Sequence, residues 1–263
     1  MRTFINAALL GVAMAAVDYT QAGANWEGDC ATGKEQSPID LKSATATSDL
    51  GLKLDGYNNY PDLEGEPLDG KTFQVNDLNA NDMAGTMTLT FDDASSMEFQ
   101  PLQLHFHGPS EHYIDGAKLD LEMHIVHADA NGSLAVLGIF FDRVKGGDAN
   151  NAMIEDLKEK DGVPLKDVLD AMNTDSYWSY PGSLTTPPCT EGVKWTVLTE
   201  VQPISAAQLE WFKEFWTWGD DDQGNNRVPQ PLNARTLYIA GDSGAAWLGA
   251  AGAAIVALAA VWA

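Results

Sequence analysis

Positive charge is scarce in this chain. Fifteen lysines and arginines stand against thirty-eight aspartates and glutamates, a formal net charge of −23 over 263 residues. That excludes nucleic acid and an anionic membrane surface as partners, because both demand a basic face. The acidic excess reads instead as a solubilising surface, suited to a saline medium. Cysteine is nearly absent: Cys30 and Cys189 leave room for one disulfide and no more. Internal repeats and long linkers are absent too, so the chain reads as one domain, and a hydrophobic share of 44% suffices for its core. Histidine is the most telling scarcity. Only five occur, and all lie between His105 and His127.

Long apolar runs are confined to the two ends. Met1 to Ala15 carries one basic residue, an apolar stretch and the small-residue pattern Ala13-Met14-Ala15, which reads as a secretory signal over residues 1–15. Residues 245–263 hold no charge and approach the length of a membrane span. Asp242-Ser243-Gly244-Ala245 just before them resembles the attachment site of a glycolipid-anchor signal, though the polar spacer is nearly missing. A glycolipid anchor and a plain C-terminal membrane anchor both remain open, and either places residues 19–240 outside the cell. In that compartment the cysteine pair forms a disulfide, worth roughly 2–4 kcal/mol across so long a loop.

Between the ends, strand patterns dominate. Gln36-Ser37-Pro38-Ile39-Asp40-Leu41 is a turn entering an extended run. Residues 43–70, rich in Gly, Asp, Asn, Pro and Thr, suit short strands and loops. Phe73-Gln74-Val75 and Thr86 to Phe91 alternate as half-buried strands do. Leu134 to Phe141 is a continuous apolar run fit for a strand covered on both faces, and Val193 to Leu198 is another strand. Helices are expected at Ala149 to Lys160 and at Ser205 to Trp216, the latter with Ser205 as its cap. The fold class is mainly β with few helices around a central sheet.

The histidines sit in two of these strands. His105 and His107 are two apart in an alternating run and share a face; Glu122, His124 and Val126 share a face of the next. Two neighbouring strands would then offer three imidazoles to one point, a zinc site with its fourth position open. A water in that position can drop to a pKa of about 7, giving a nucleophile at neutral pH. Metal-bound imidazoles usually donate their second N–H, and Gln103 and Glu122 lie two residues before His105 and His124 on the same faces. A carboxylate such as Glu122 is costly to bury without partners. His127 has the opposite parity from His124, and His112 lies past a Gly-Pro-Ser bend; both read as hydrogen-bonded structural histidines. His105-x-His107-x-x-x-Glu111 with Gly116 also resembles the first metal motif of cupins. That fold needs a later histidine, and none follows His127.

From about Trp26 to Arg235 the chain resembles the α-class carbonic anhydrases. The motifs are Gln36-Ser37-Pro38-Ile39-Asp40, His105-Phe106-His107, Ser110-Glu111-His112, Glu122 to His127, and Ser183-Leu184-Thr185-Thr186-Pro187-Pro188. Asn225-x-Arg227 and Gln230-Pro231-Leu232-Asn233-x-Arg235 match the C-terminal motif, with Val228 where proline is usual. The short Gly108-Pro109 connection is closer to bacterial, plant and algal members than to vertebrate ones.

The resemblance implies a central, mostly antiparallel, twisted sheet with zinc at the base of a conical cleft. It implies reversible hydration of carbon dioxide to bicarbonate and a proton, with His105, His107 and His124 as ligands and Gln103 and Glu122 behind them. Thr185 would accept a hydrogen bond from the zinc hydroxide, pass its own proton to Glu111, and offer its N–H to a substrate oxygen. Val126, Val136, Leu184 and Trp195, bordered by Thr186, would line the carbon dioxide pocket. Cys30 and Cys189 fall where secreted members carry a disulfide. Lys71 stands where fast members place a proton-shuttling histidine, and its ordinary pKa of about 10.4 is a poor match for that task. Three histidines would also accept cobalt or another divalent ion. A non-catalytic binding domain of the same fold is the alternative, although such domains typically lose a zinc histidine. A zinc esterase lacks support, since neither a nucleophile elbow nor H-E-x-x-H occurs.

Overall fold

A computed structural model describes residues 17–68, 72–79, 85–216 and 224–241. The expected signal, the C-terminal apolar run and Lys71 lie outside the described residues. In chain order the elements are α1 (Asp29–Thr32), β1 (Asp40–Leu41), β2 (Thr45–Thr47), β3 (Gly51–Asp55), β4 (Glu66–Leu68), β5 (Thr72–Val75), β6 (Thr86–Thr90) and β7 (Ser96–His107). They continue with β8 (Tyr113–Ile114), β9 (Leu121–Ala128), β10 (Leu134–Phe141), α2 (Ala152–Glu159), α3 (Leu165–Ala171), β11 (Tyr177–Ser183), β12 (Glu191–Gln202), α4 (Ala206–Phe212) and β13 (Tyr238–Ala240).

The main sheet runs β2-β13-β11-β12-β10-β9-β7-β5-β4, with β6 also on β7 and β3 on β6. Most pairs are antiparallel; β10–β12 and β13–β2 are parallel, as is the separate β1–β8 pair. The twelve-residue β7 serves two partners on one edge. Its Ser96–Phe99 stretch pairs with β6, and Leu104 and His105 pair with β5.

Alternation on the three central strands sorts two layers. Leu104, Phe106, Leu121, Met123, Ile125, Leu137 and Ile139 pack into one core together with side chains of the three longer helices. Val126, Val136, Phe140, Trp195 and Val197 face the opposite side with Ile39 and Ile114. Each fully buried Leu or Phe contributes roughly 1.5–3 kcal/mol, so a register slip by one residue, which would invert every face, is strongly disfavoured. The first layer therefore fixes which side of β7 and β9 the histidines occupy.

β10 is buried on both faces, as its apolar run predicts. α2 starts three residues later than expected, because the Asn151 side chain caps it by accepting from Ile154 N–H. α4 begins at the expected cap, where Ser205 and Gln208 form a reciprocal capping box, but ends at Phe212 rather than Trp216. Phe215 leaves the helix to pack on Phe73 and Trp211, and Trp216 stacks on Phe212. α3 has no counterpart in the sequence reading; its seven residues bury only Leu165 and Leu169, too little for a helical period to show.

Candidate metal centre

β7 and β9 pair so that His105 lies opposite His124 and His107 opposite Glu122. Opposed residues share a face, so the three imidazoles converge, each offering one nitrogen within 4.8 Å of the others. Each remaining ring nitrogen meets an acceptor. His105 Nδ1 donates to Gln103 Oε1 at 2.8 Å, His107 Nδ1 to the Asn225 carbonyl at 2.8 Å, and His124 Nε2 to Glu122 Oε1 at 2.9 Å. Carbonyl and carboxylate oxygens only accept, so these bonds fix the tautomers and leave His105 Nε2, His107 Nε2 and His124 Nδ1 with inward lone pairs. Burial, reinforced by the neighbouring histidines, pushes His105 well below the ordinary histidine pKa. Burial also lowers His107. Both rings are neutral at neutral pH, as ligation requires.

Among the described residues, two buried polar atoms at this point have no hydrogen-bond partner: His107 Nε2 and Glu111 Oε2. Glu111 Oε2 lies 3.5 Å from His107 Nε2 and 3.9 Å from His124 Nδ1. Orphaned buried groups carry a free-energy cost, and three inward lone pairs beside an orphaned carboxylate oxygen suit a bound divalent cation. His112, Glu122 and His124 also cluster closely. Those atoms are already consumed, because Glu122 Oε1 accepts from His112 Nδ1 at 2.7 Å as well as from His124. Glu122 Oε2 accepts from the backbone N–H groups of Glu111 and His112 at 2.9 and 2.8 Å. Burial alone would raise the Glu122 carboxyl, but His112 and His124 hold it well below the usual carboxylate range.

His112 and His127 are hydrogen-bonded within the fold. His112 Nε2 meets the Tyr180 hydroxyl at 2.6 Å. His127, on the far face of β9, meets the Tyr57 hydroxyl at 2.7 Å and donates to the Ile125 carbonyl at 2.9 Å.

Thr185 is buried on the loop between β11 and β12. That loop is closed by Leu184 N–H to Thr190 O and Cys189 N–H to Thr186 O, and the Cys30–Cys189 disulfide pins it to α1. Among the described residues no hydrogen bond joins the Thr185 hydroxyl to Glu111. Glu111 instead accepts the Arg227 backbone N–H on Oε1 at 2.9 Å and turns Oε2 toward His107 and His124. The apolar wall is set by register: Val126 lies opposite Val136, and Val136 opposite Trp195. Leu184 packs against this layer, Thr186 is partly exposed, and Trp195 Nε1 donates to Ser183 O at 3.0 Å.

Asn225 and Arg227 do more than the sequence reading assigned them. Asn225 holds His107 through its carbonyl, donates from Nδ2 to Phe106 O and accepts Gly108 N–H on Oδ1. Arg227, fully buried, reaches Gln36 Oε1, Ser37 O and Cys30 O with its guanidinium. The Asn225-x-Arg227 motif was visible, but a backbone carbonyl acting on a residue 118 positions away leaves no mark in side-chain pattern.

A fold and site of this kind define a family. The profile described as eukaryotic-type carbonic anhydrase matches residues 21–241. The chain therefore belongs to the carbonic anhydrase family and is an enzyme of that class, for which carbon dioxide and bicarbonate are the implied substrate pair. It is 34% identical over 235 residues to alpha carbonic anhydrase 3 of Arabidopsis thaliana, covering 84% of this chain and 79% of the relative. It is 33% identical to a carbonic anhydrase of Pectobacterium atrosepticum, covering 79% and 81%. Among solved structures, the Photobacterium profundum alpha-carbonic anhydrase superposes with a TM-score of 0.64 at 34% identity, covering 80% of this chain and 91% of that one.

Proposed function

We propose that this chain hydrates carbon dioxide reversibly with a zinc ion held by His105, His107 and His124. The observation that carries the reading is the convergence of three imidazole nitrogens within 4.8 Å, each ring oriented by its own acceptor. When bound, zinc supplies Lewis acidity that makes water a nucleophile near neutral pH. Gln103, Glu122 and the Asn225 carbonyl keep the three donor lone pairs inward. Arg227 N–H occupies Glu111 Oε1, so Oε2 is the free acceptor for the Thr185 hydroxyl proton. Thr185 thereby presents its oxygen lone pair to the nucleophile and orients it. Val126, Val136, Leu184 and Trp195, with Thr186 at their border, hold the apolar substrate and exclude water.

At the sequence position where the resemblance places a proton shuttle, the chain offers Lys71, and it has no sixth histidine to carry the released proton. Turnover is accordingly slow and buffer-dependent. The chain works outside the cytoplasm: the Cys30–Cys189 disulfide supports an oxidising compartment, and the apolar run at residues 1–15 supports export as a signal peptide. Residues 245–263 serve either as a glycolipid-anchor signal or as a plain C-terminal membrane anchor. Among the described residues no helix is long and apolar enough to cross one.

Stopped-flow hydration assays test the reading. Activity should vanish on chelation, return with zinc, be lost in His107→Ala, and rise with imidazole concentration in the wild type. Full activity in metal-free protein or in His107→Ala would sink it.

A further inference from the structure

The hairpin between β9 and β10 carries a motif that the chemistry at the metal centre does not use. Asn131-Gly132-Ser133 sets an asparagine two residues before a hydroxyl with no proline between them, and no other asparagine of the chain stands in that pattern. In a chain exported through a membrane, such a triplet on the surface is an acceptor for an N-linked oligosaccharide. Triplets of this kind also arise by chance, so the turn decides.

The two strands close at the Ala128–Leu134 pair, and Asp129 folds the loop between them. Asp129 N–H donates to Ser133 O at 3.0 Å, and Gly132 N–H to Asp129 O at 3.1 Å. Asp129 Oδ1 accepts the backbone N–H groups of Asn131 at 2.9 Å and Ser133 at 2.7 Å. Desolvation alone would raise the Asp129 carboxyl, but backbone and side-chain donors of Ser133 and Asn131 hold it below its ordinary value. Both side chains of the triplet therefore stand on one side of the turn, the amide beside the hydroxyl. Asn131 is exposed and Ser133 half-buried. Gly132 has φ +87°, and a Cβ there would meet nothing within 4 Å. The tip stands in open space.

We propose that Asn131 is an N-glycosylation site whose Nδ2 accepts an oligosaccharide from a lipid-diphosphate donor in the export membrane. The proposal rests on the extracytoplasmic part of the reading above and is independent of zinc. The amide nitrogen attacks C1 of the first sugar, so that an Nδ2–C1 bond forms. The C1–O bond to the diphosphate breaks with its electron pair leaving on the diphosphate, and the amide gives up one proton to a base of the transferase. Nothing is oxidised or reduced. From His124 to Ala128, β9 runs about 13 Å at about 3.3 Å per residue, so a sugar at the tip stands clear of the imidazole cluster.

The full chain, with its own residues 1–15, is expressed in a eukaryotic secretory host and read by intact mass and peptide mapping. Wild type should carry a mass in whole sugar units that peptide-N-glycosidase removes, leaving Asn131 as an aspartate labelled from heavy-oxygen water. Ser133→Thr keeps the hydroxyl and should keep the sugar; Asn131→Gln and Ser133→Ala should lose it completely. Exported protein with Cys30 and Cys189 oxidised but Asn131 bare, or already converted to aspartate before the enzyme is added, overturns the proposal. A sugar mass that persists in Asn131→Gln overturns it too. A chain retained inside the cell with both cysteines reduced overturns the export reading, and this proposal with it; the state of the cysteines tells the two failures apart.

Discussion

Glu111 is caught between an obligatory donor and the imidazole cluster. Its Oε1 accepts the Arg227 N–H, and its Oε2 is buried with no hydrogen-bond partner among the described residues. In Glu111→Gln the single amide oxygen would go to Arg227, turning an NH2 group toward His107 and His124 and removing the acceptor that the proposed role assigns to the Thr185 hydroxyl. Activity should fall on the order of 10²-fold with zinc content unchanged, read by stopped flow and metal analysis; a loss below twofold would remove Glu111 from the orienting role. His127 gives a different residue-scale outcome. Burial lowers its pKa from 6.5 to about 4. Between those values the unfolded chain takes up a proton that the native chain refuses. Stability is therefore complete above about pH 6.5 and is lost as pH falls toward 4, by about 3 kcal/mol from this residue. Urea denaturation of metal-depleted protein should show the fall between pH 7 and about 4.5 shrinking by most of that amount in His127→Gln. An undiminished fall would place the acid sensitivity elsewhere. Strand parity alone separated His105, His107 and His124 from His127, because alternation is local. The Asn225 carbonyl and the Arg227 N–H were not legible, because backbone groups exist at every position and only the closed fold chooses which ones serve.

At the scale of elements, the end of β7 is held by the segment entering from Gly224. Gly224 has φ +61°, and a Cβ there would stand 1.8 Å from the Gly108 carbonyl oxygen. Asn225 follows at once with its clamp on Phe106, Gly108 and His107. Gly224→Ala thus combines left-handed backbone strain, about 1–3 kcal/mol, with displacement of the group that holds His107. We expect a lower unfolding free energy in urea together with weaker zinc retention in dialysis against a chelator. Retention equal to wild type would mean that the segment shifts without moving Asn225. The strands that carry the site were legible because their two faces differ in polarity or are both apolar. What was not legible is non-local: β7 serving two partners, the parallel β10–β12 pairing, and the early end of α4, where aromatic packing overrides helical continuation.

For the molecule as a whole, charge and covalent closure act in opposite directions. The disulfide joins residues 159 positions apart and so restrains the unfolded chain more than the native one. The net charge of −23 repels itself most when the chain is compact. The ion pairs that offset it are mostly exposed, such as Lys53–Asp55 and Lys160–Glu64, and exposed pairs contribute about 0–1 kcal/mol each. Salt weakens both effects, since the screening length shrinks from about 30 Å at 0.01 M to about 3 Å at 1 M. With so large an excess of one sign, loss of repulsion outweighs loss of pairs. The melting temperature should climb by about 3–6 °C over that range of sodium chloride, equivalent to roughly 1–2 kcal/mol, and potassium chloride should do the same because the effect is screening rather than site binding. A melting temperature that falls instead would mean that the few basic residues are placed well enough to make attraction, not repulsion, the dominant surface term.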